Sequence, residues 1–137
     1  MVILLVEDNA QEADLALHAI RRAGFAGRIV HVDDGEKALE YLAANTPPRV
    51  VFLDLAMPRL DGMGVLRRLK ADERLRAIPV VMLTSSDEPA EMQACYRLGA
   101  NSYVVKPAGF TEYLATLSGL VAYWTRLNES PVAATSG

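Results

Sequence analysis

With 137 residues the chain is long enough to bury one sizeable core and too short for two full domains. Apolar residues make up 51% and charged residues 23%, and a net charge of -3 argues against nucleic acid as the main partner. No apolar run is long enough to span a bilayer, and the single cysteine, Cys95, excludes an intramolecular disulfide, so the expectation is a cytoplasmic α/β domain without membrane contact.

Val2 to Val6 is a continuous apolar run, the pattern of a strand buried on both faces of a parallel sheet. Glu7 and Asp8 follow at its C-terminal end. Asn9 is placed to cap the next helix, which buries Ala13, Leu17 and Ile20 and stops at Gly24. Arg28 to Val32 reads as a second strand, Asp33-Asp34-Gly35 as a turn, and Glu36 to Leu42 as a helix. Val50 to Leu53 is the third strand, short and unbroken, and it delivers Asp54 to its end before Pro58 and Gly62 break the chain. Val65, Leu66 and Leu69 mark the inner face of a third helix, with Arg67, Arg68 and Lys70 outside. Val80 to Leu83 is a fourth strand ending in Thr84-Ser85-Ser86, and a helix follows from about Glu88 to Leu98. Ser102 to Val105 is the fifth strand, with Lys106-Pro107 directly after it. A last helix runs from about Phe110 to Leu127, and a small-residue tail, 129–137, is expected to be disordered beyond a domain of residues 1–128. Five strands alternating with five helices predict a doubly wound parallel sheet with helices on both faces.

Four of the five strand ends carry a functional group: Glu7-Asp8, Asp54, Thr84 and Lys106. The topology gathers them on one edge of the sheet, where several carboxylates repel unless a hard divalent cation joins them. Mg²⁺ takes one or two carboxylates plus water and phosphate oxygens. With Asp8 and Asp54 as ligands, a free oxygen of Asp54 can attack a phosphoryl group. Lys106 then pairs with the phosphoryl oxygens and Thr84 hydrogen-bonds one of them.

These residues resemble a known family, the receiver domains of two-component response regulators with the CheY-like fold. The motifs are Leu4-Leu5-Val6-Glu7-Asp8-Asn9, Leu53-Asp54-Leu55-Ala56-Met57-Pro58 with Asp61-Gly62, Leu83-Thr84-Ser85-Ser86, and Gly99 through Pro107. They cover roughly residues 2 to 128. The resemblance implies a five-stranded sheet of order 2-1-3-4-5 and a phosphoryl-accepting Asp54. It implies Mg²⁺ held by Glu7, Asp8, Asp54 and the backbone carbonyl of Ala56, with Thr84 and Lys106 reading the phosphoryl group. Tyr103 matches the family's aromatic switch, and Lys106-Pro107 matches its cis peptide. The partners implied are a sensor histidine kinase and a downstream protein or phosphotransfer partner. The Thr84-Ser85-Ser86 run, the Gly99-Ala100-Asn101-Ser102-Tyr103 segment and the Trp124 helix also resemble stand-alone regulators serving bacterial phytochrome kinases. Ala56, Ser85 and Ser86 depart from or tune the family pattern, which leaves the phosphoryl lifetime open.

Other readings of the same residues compete with these. Asp54 alone would be a capping residue, Lys106 a solvated lysine and Tyr103 a packing residue. His18, His31 and Cys95 lack companions at metal-ligand spacing, and Arg67 to Arg76 read as a solvated face. Tyr113, Leu117, Leu120 and Trp124 form a stripe on the last helix that predicts a protein interface and a homodimer. A Mg²⁺-dependent phosphohydrolase would need a second acid where Ala56 stands, and a flavodoxin-like phosphate loop would need Ser, Thr and Gly where Glu7-Asp8 stand. A degenerate, constitutive binding module conflicts with the complete acid, threonine and lysine set. The expectation is therefore a phosphorylation-controlled switch, not a turnover enzyme.

Overall fold

The computed structural model describes residues 1–131. Five strands, β1 (Val2–Val6), β2 (Arg28–Val32), β3 (Val50–Leu53), β4 (Val80–Thr84) and β5 (Ser102–Val105), pair in parallel in the order β2-β1-β3-β4-β5. Between and after them lie α1 (Ala10–Arg22), α2 (Gly35–Ala44), α3 (Gly62–Ala71), α4 (Pro89–Arg97) and α5 (Phe110–Ala122). The predicted alternation and sheet order are both present. Only the last helix differs in kind: its final turn, Tyr123–Leu127, widens into a π-helical turn.

The continuous apolar strands work because each feeds two cores. Ile3, Leu5, Val50, Phe52, Val81 and Leu83 pack under α1 and α5. Leu4, Val6, Val51, Leu53, Val80 and Met82 point the other way, under α2, α3 and α4. Alternate side chains of a strand face opposite sides of the sheet, so only a run apolar at every position fills both layers. Three helix starts, those of α1, α2 and α3, are capped by side chains. Asn9 accepts a hydrogen bond from the Glu12 amide at 3.0 Å, Asp34 from Lys37 at 2.7 Å and Asp61 from Gly64 at 2.8 Å.

Three expectations are corrected. The stripe assigned to an interface lies in the α1–α5 core: Tyr113, Leu117 and Trp124 are buried and Leu120 is half-buried against them. The breadth of the apolar face reflects a helix wedged between the sheet and α1. Burial also pushes the Tyr113 phenol up to about 12. Second, among the described residues every peptide bond is trans, Lys106–Pro107 included. Trans is the lower-energy form of an X–Pro bond by about 0.5–1 kcal/mol, and Lys106 reaches its partners from it.

Third, Arg67, Arg68, Arg74 and Arg76 are exposed as the solvated-face reading expects, but Lys70 does not stand free on the outer side. Lys70 is half-buried, and its ammonium donates to the carbonyls of Arg76 (3.0 Å) and Ile78 (2.9 Å) and to Asn101 (3.1 Å). Arg74 donates to the carbonyl of Leu42 at 2.8 Å and to that of Asn45, covering the open end of α2. The tail assigned to 129–137 falls largely outside the described residues.

Because Trp124 is a core residue, Trp124→Ala is expected to cost about 3–5 kcal/mol of stability. A urea unfolding curve would show this as a lowered midpoint, whereas an interface residue of a monomeric fold would leave the midpoint in place.

Candidate functional site

The parallel register brings the strand ends to nearly one level. Val6 pairs with Leu53, Leu53 with Met82, and Thr84 with Val105. The residue after each strand therefore emerges on the same edge, and the backbone ladder continues through them. Asp54 donates its amide to Val6 (3.0 Å), Glu7 to Val32 (3.1 Å) and Lys106 to Thr84 (2.7 Å). The side chains are thus carried on sheet backbone and not on free loops. A cleft of about 520 Å³ opens there, lined in part by Asp8, Asp54, Ala56, Thr84, Ser86 and Lys106.

Glu7, Asp8 and Asp54 each place a carboxylate oxygen within 4.8 Å of the others. Glu7 and Asp54 are buried, while Asp8 is exposed at the mouth. Lys106 sits among them. Its ammonium is 2.6 Å from Glu7 Oε1, 3.5 Å from Glu12 Oε1 and 3.9 Å from Asp54 Oδ1. Glu7 uses its other oxygen to accept the Asn9 amide at 3.2 Å. One cation thus faces three carboxylates, two of them buried, and the charge balance is incomplete.

The electrostatics follow from that. Burial raises the Asp54 carboxyl from 3.8 to about 7; Lys106 opposes the rise and the nearby Glu7 carboxylate adds to it. Burial alone would lower the Lys106 ammonium, but its hydrogen bond to Glu7 and the Asp54 charge outweigh this and raise it. A buried acid beside further acids is neutralised either by a proton, which its raised value favours, or by a cation. The donor set, carboxylates with a solvent-facing mouth, suits a hard, oxygen-seeking divalent ion of the Mg²⁺ kind.

On the far side of the cleft Thr84 is buried, and its hydroxyl accepts the Ser86 amide at 3.2 Å. Tyr103 is half-buried, and its hydroxyl donates to the Ser86 carbonyl at 2.9 Å. The Thr84 loop and the Tyr103 ring therefore meet at one residue. Every predicted polar site residue is brought together here: Glu7, Asp8, Asp54, Thr84 and Lys106 around the cleft, with Tyr103 one residue away.

Sequence reasoning assigned neither Glu12 nor Glu91 to the site. Glu12 reaches Lys106 across the cleft, and Glu91, on the first turn of α4, accepts a hydrogen bond from the Ser86 hydroxyl. Both lie on helices, where spacing along one helix does not reveal which side chains reach a neighbouring strand end.

The pattern of the response regulator receiver domain matches residues 3–118. The probable methanogenesis regulatory protein FilR2 of Methanothrix harundinacea is 44% identical over 135 residues, covering 95% of this chain and 87% of that protein. The phosphorylated cyanobacterial phytochrome response regulator RcpA superposes with a TM-score of 0.90 at 32% identity, covering 95% of this chain and 97% of the other. The bacteriophytochrome response regulator AtBRR gives a TM-score of 0.73 at 41% identity, covering 93% and 97%. With the family pattern spanning most of its length and the acid, threonine and lysine set gathered at the sheet edge, the chain belongs to the response regulator receiver family of two-component signalling.

Proposed function

We propose that Asp54 is the phosphoryl acceptor and that Glu7, Asp8, Asp54 and the Ala56 carbonyl serve a Mg²⁺ ion. The observation that carries this is the convergence of three carboxylates, Lys106 and Thr84 in one cleft. When bound, the metal supplies charge neutralisation and orients phosphoryl oxygens. Asp54 attacks phosphorus, the bond from phosphorus to the donor histidine nitrogen breaks, and that nitrogen regains a proton. Lys106 turns from Glu7 and Asp54 toward the new phosphoryl oxygens, trading one anionic partner for another. The Thr84 hydroxyl leaves the Ser86 amide for a phosphoryl oxygen. Tyr103, bonded to the same residue, loses the geometry that holds it and moves inward. This is a population shift driven by charge at one site.

The donor in this reading is a sensor histidine kinase, and the likeness to RcpA and AtBRR favours a phytochrome-type kinase. Output passes through protein contacts on the face carrying the exposed side chains Tyr96, Val105 and Phe110, beside Tyr103. A homodimer built on the Tyr113–Trp124 stripe is not part of the reading, because the core occupies it. Turnover on a separate substrate is not part of it either, since Ala56 brings no acid or base to the cleft. Among the described residues no helix is long and apolar enough to cross a membrane, and we place the domain, residues 1–128, in the cytoplasm with its kinase.

Incubation with acetyl phosphate and Mg²⁺ is expected to add one phosphoryl mass to the wild type and none to Asp54→Asn. An adduct of equal yield on Asp54→Asn would remove Asp54 from the role.

A pH prediction comes from the same carboxyl. Its value rises on folding, so between about pH 4 and 7 the folded protein holds a proton that the unfolded chain releases. The metal-free protein therefore gains stability from this group below that window and loses it as pH climbs through 7. Asp54→Asn removes the penalty. In EDTA at pH 8 its Tm is expected to exceed wild type by about 3 °C, and the gap should close toward pH 5. A gap that stays constant with pH would contradict the burial argument.

A further inference from the structure

Among the described residues Arg59 is the one non-glycine residue with positive φ, at 64°. It lies in the segment between β3 and α3, five residues after Asp54 and three after Ala56. The left-handed conformation costs a residue with a Cβ about 1–2 kcal/mol. Glycine would remove that cost, yet an arginine stands there, with its side chain 73% exposed. Its guanidinium meets Asp34 at 3.1 Å, and Asp34 is only 13% exposed. Asp34 is itself fixed, since its other oxygen caps α2 through the Lys37 amide.

The same two loops touch once more. A Cβ on Gly35 would lie 2.6 Å from the Leu60 carbonyl oxygen, so the start of α2 rests directly on residue 60. The segment is also closed on itself. The Gly62 amide donates to the Leu55 carbonyl at 2.9 Å, and a Cβ on Gly62 would collide with the Asp54 carbonyl. Residues 55 to 61 thus form a short loop pinned at its base by Gly62 and along its outer side by Arg59 and Leu60.

An exposed ion pair contributes about 0–1 kcal/mol, which does not outweigh the cost of the left-handed arginine. The pair is not explained by stability. Strain of this kind persists where the surroundings over-determine the conformation, and it collects at functional sites. What the loop carries is Ala56, which lines the cleft beside Asp54.

We infer that Arg59 is a positioning residue for the metal site: its clasp on Asp34 fixes the loop that presents Ala56 to the ion. This rests on the metal reading proposed above. Arg59 reaches the metal only through the loop backbone.

The sign of one substitution separates the explanations. Arg59→Gly relieves the strain and breaks the clasp. A purely structural clasp predicts a change in Tm with Mg²⁺ affinity unaltered. Simple electrostatics predicts tighter Mg²⁺ binding, because a positive charge has gone. Positioning predicts Mg²⁺ binding weakened by about tenfold, the low end for groups that orient metal ligands, with a metal-free Tm equal to or above wild type.

Isothermal titration of the full chain with MgCl₂, beside thermal unfolding in EDTA, reads both quantities. Arg59→Asn is the second variant, since asparagine tolerates the left-handed region and lacks the guanidinium. Weaker binding in both variants without loss of Tm supports the inference, and unchanged or tighter binding in either overturns it. Asp8→Asn is the control for the site itself. If the wild type binds Mg²⁺ no better than Asp8→Asn, the metal reading has failed and takes this inference with it. If only that control loses affinity, the metal reading stands and the clasp is ornamental.

Discussion

The structure turns on a charge imbalance built into the edge of its sheet. Glu7 and Asp54 are buried within reach of each other, and Asp8 is beside them. Burial raises the proton affinity of Asp54 well above the usual carboxylate range, and the Glu7 charge beside it adds to the rise. Lys106 offsets part of this through its 2.6 Å contact with Glu7, but at 3.9 Å it is too far from Asp54 for a hydrogen bond. Asp54 is thereby left with a deficit of positive charge and an oxygen facing the cleft. A site in this condition is prepared for a cation and, through the cation, for a further anion. The parallel ladder makes the imbalance tolerable, because backbone hydrogen bonds hold Glu7, Asp54 and Lys106 in place whatever their charge states.

The fold was legible because its signals are redundant. The central strands β1 and β3 are apolar at every position, α1, α2 and α3 each begin with a capping Asn or Asp, and each helix has an apolar inner face. The polar site was legible for a related reason: its groups sit at strand ends, and a parallel sheet sends all such ends to one edge. What was not legible lay across elements. The Tyr113–Trp124 stripe has the same spacing whether it covers a sheet or a partner, and only the packing of α1 beside α5 decides. Glu12, Glu91 and Lys70 read as surface charges until the neighbouring strand ends and loops are in place. The Arg59 clasp was invisible for a different reason, since nothing in Pro58-Arg59-Leu60 announces a left-handed arginine, a conformation that composition assigns to glycine or asparagine.

The two sides of the cleft are built to different standards of rigidity. On the acid side, Gly62 and Gly35 let backbones approach where no side chain would fit, and Asp34 and Arg59 close the outer edge. On the other side, Thr84 of β4, Glu91 of α4 and Tyr103 of β5 are joined by hydrogen bonds through one residue, Ser86, in the irregular loop after β4. Bonds of that type exchange partners at little net cost, because each donor and acceptor can be satisfied again elsewhere.

That asymmetry is what a phosphoryl-driven switch requires. If both walls yielded, a new charge on Asp54 would relax locally and its free energy would dissipate before reaching the surface. If neither yielded, the charge would bind ligands without changing the outer face. In the proposed reading, with the acid wall held by these contacts, a phosphoryl group on Asp54 would be answered across the cleft, where Thr84 and Tyr103 share Ser86. Tyr103 is tied to α4 as well, since its amide donates to the Tyr96 hydroxyl at 3.1 Å. A change at Thr84 therefore has a short covalent and hydrogen-bonded route to Tyr96 and Tyr103, two aromatic side chains at the surface face, and needs no longer pathway through the core.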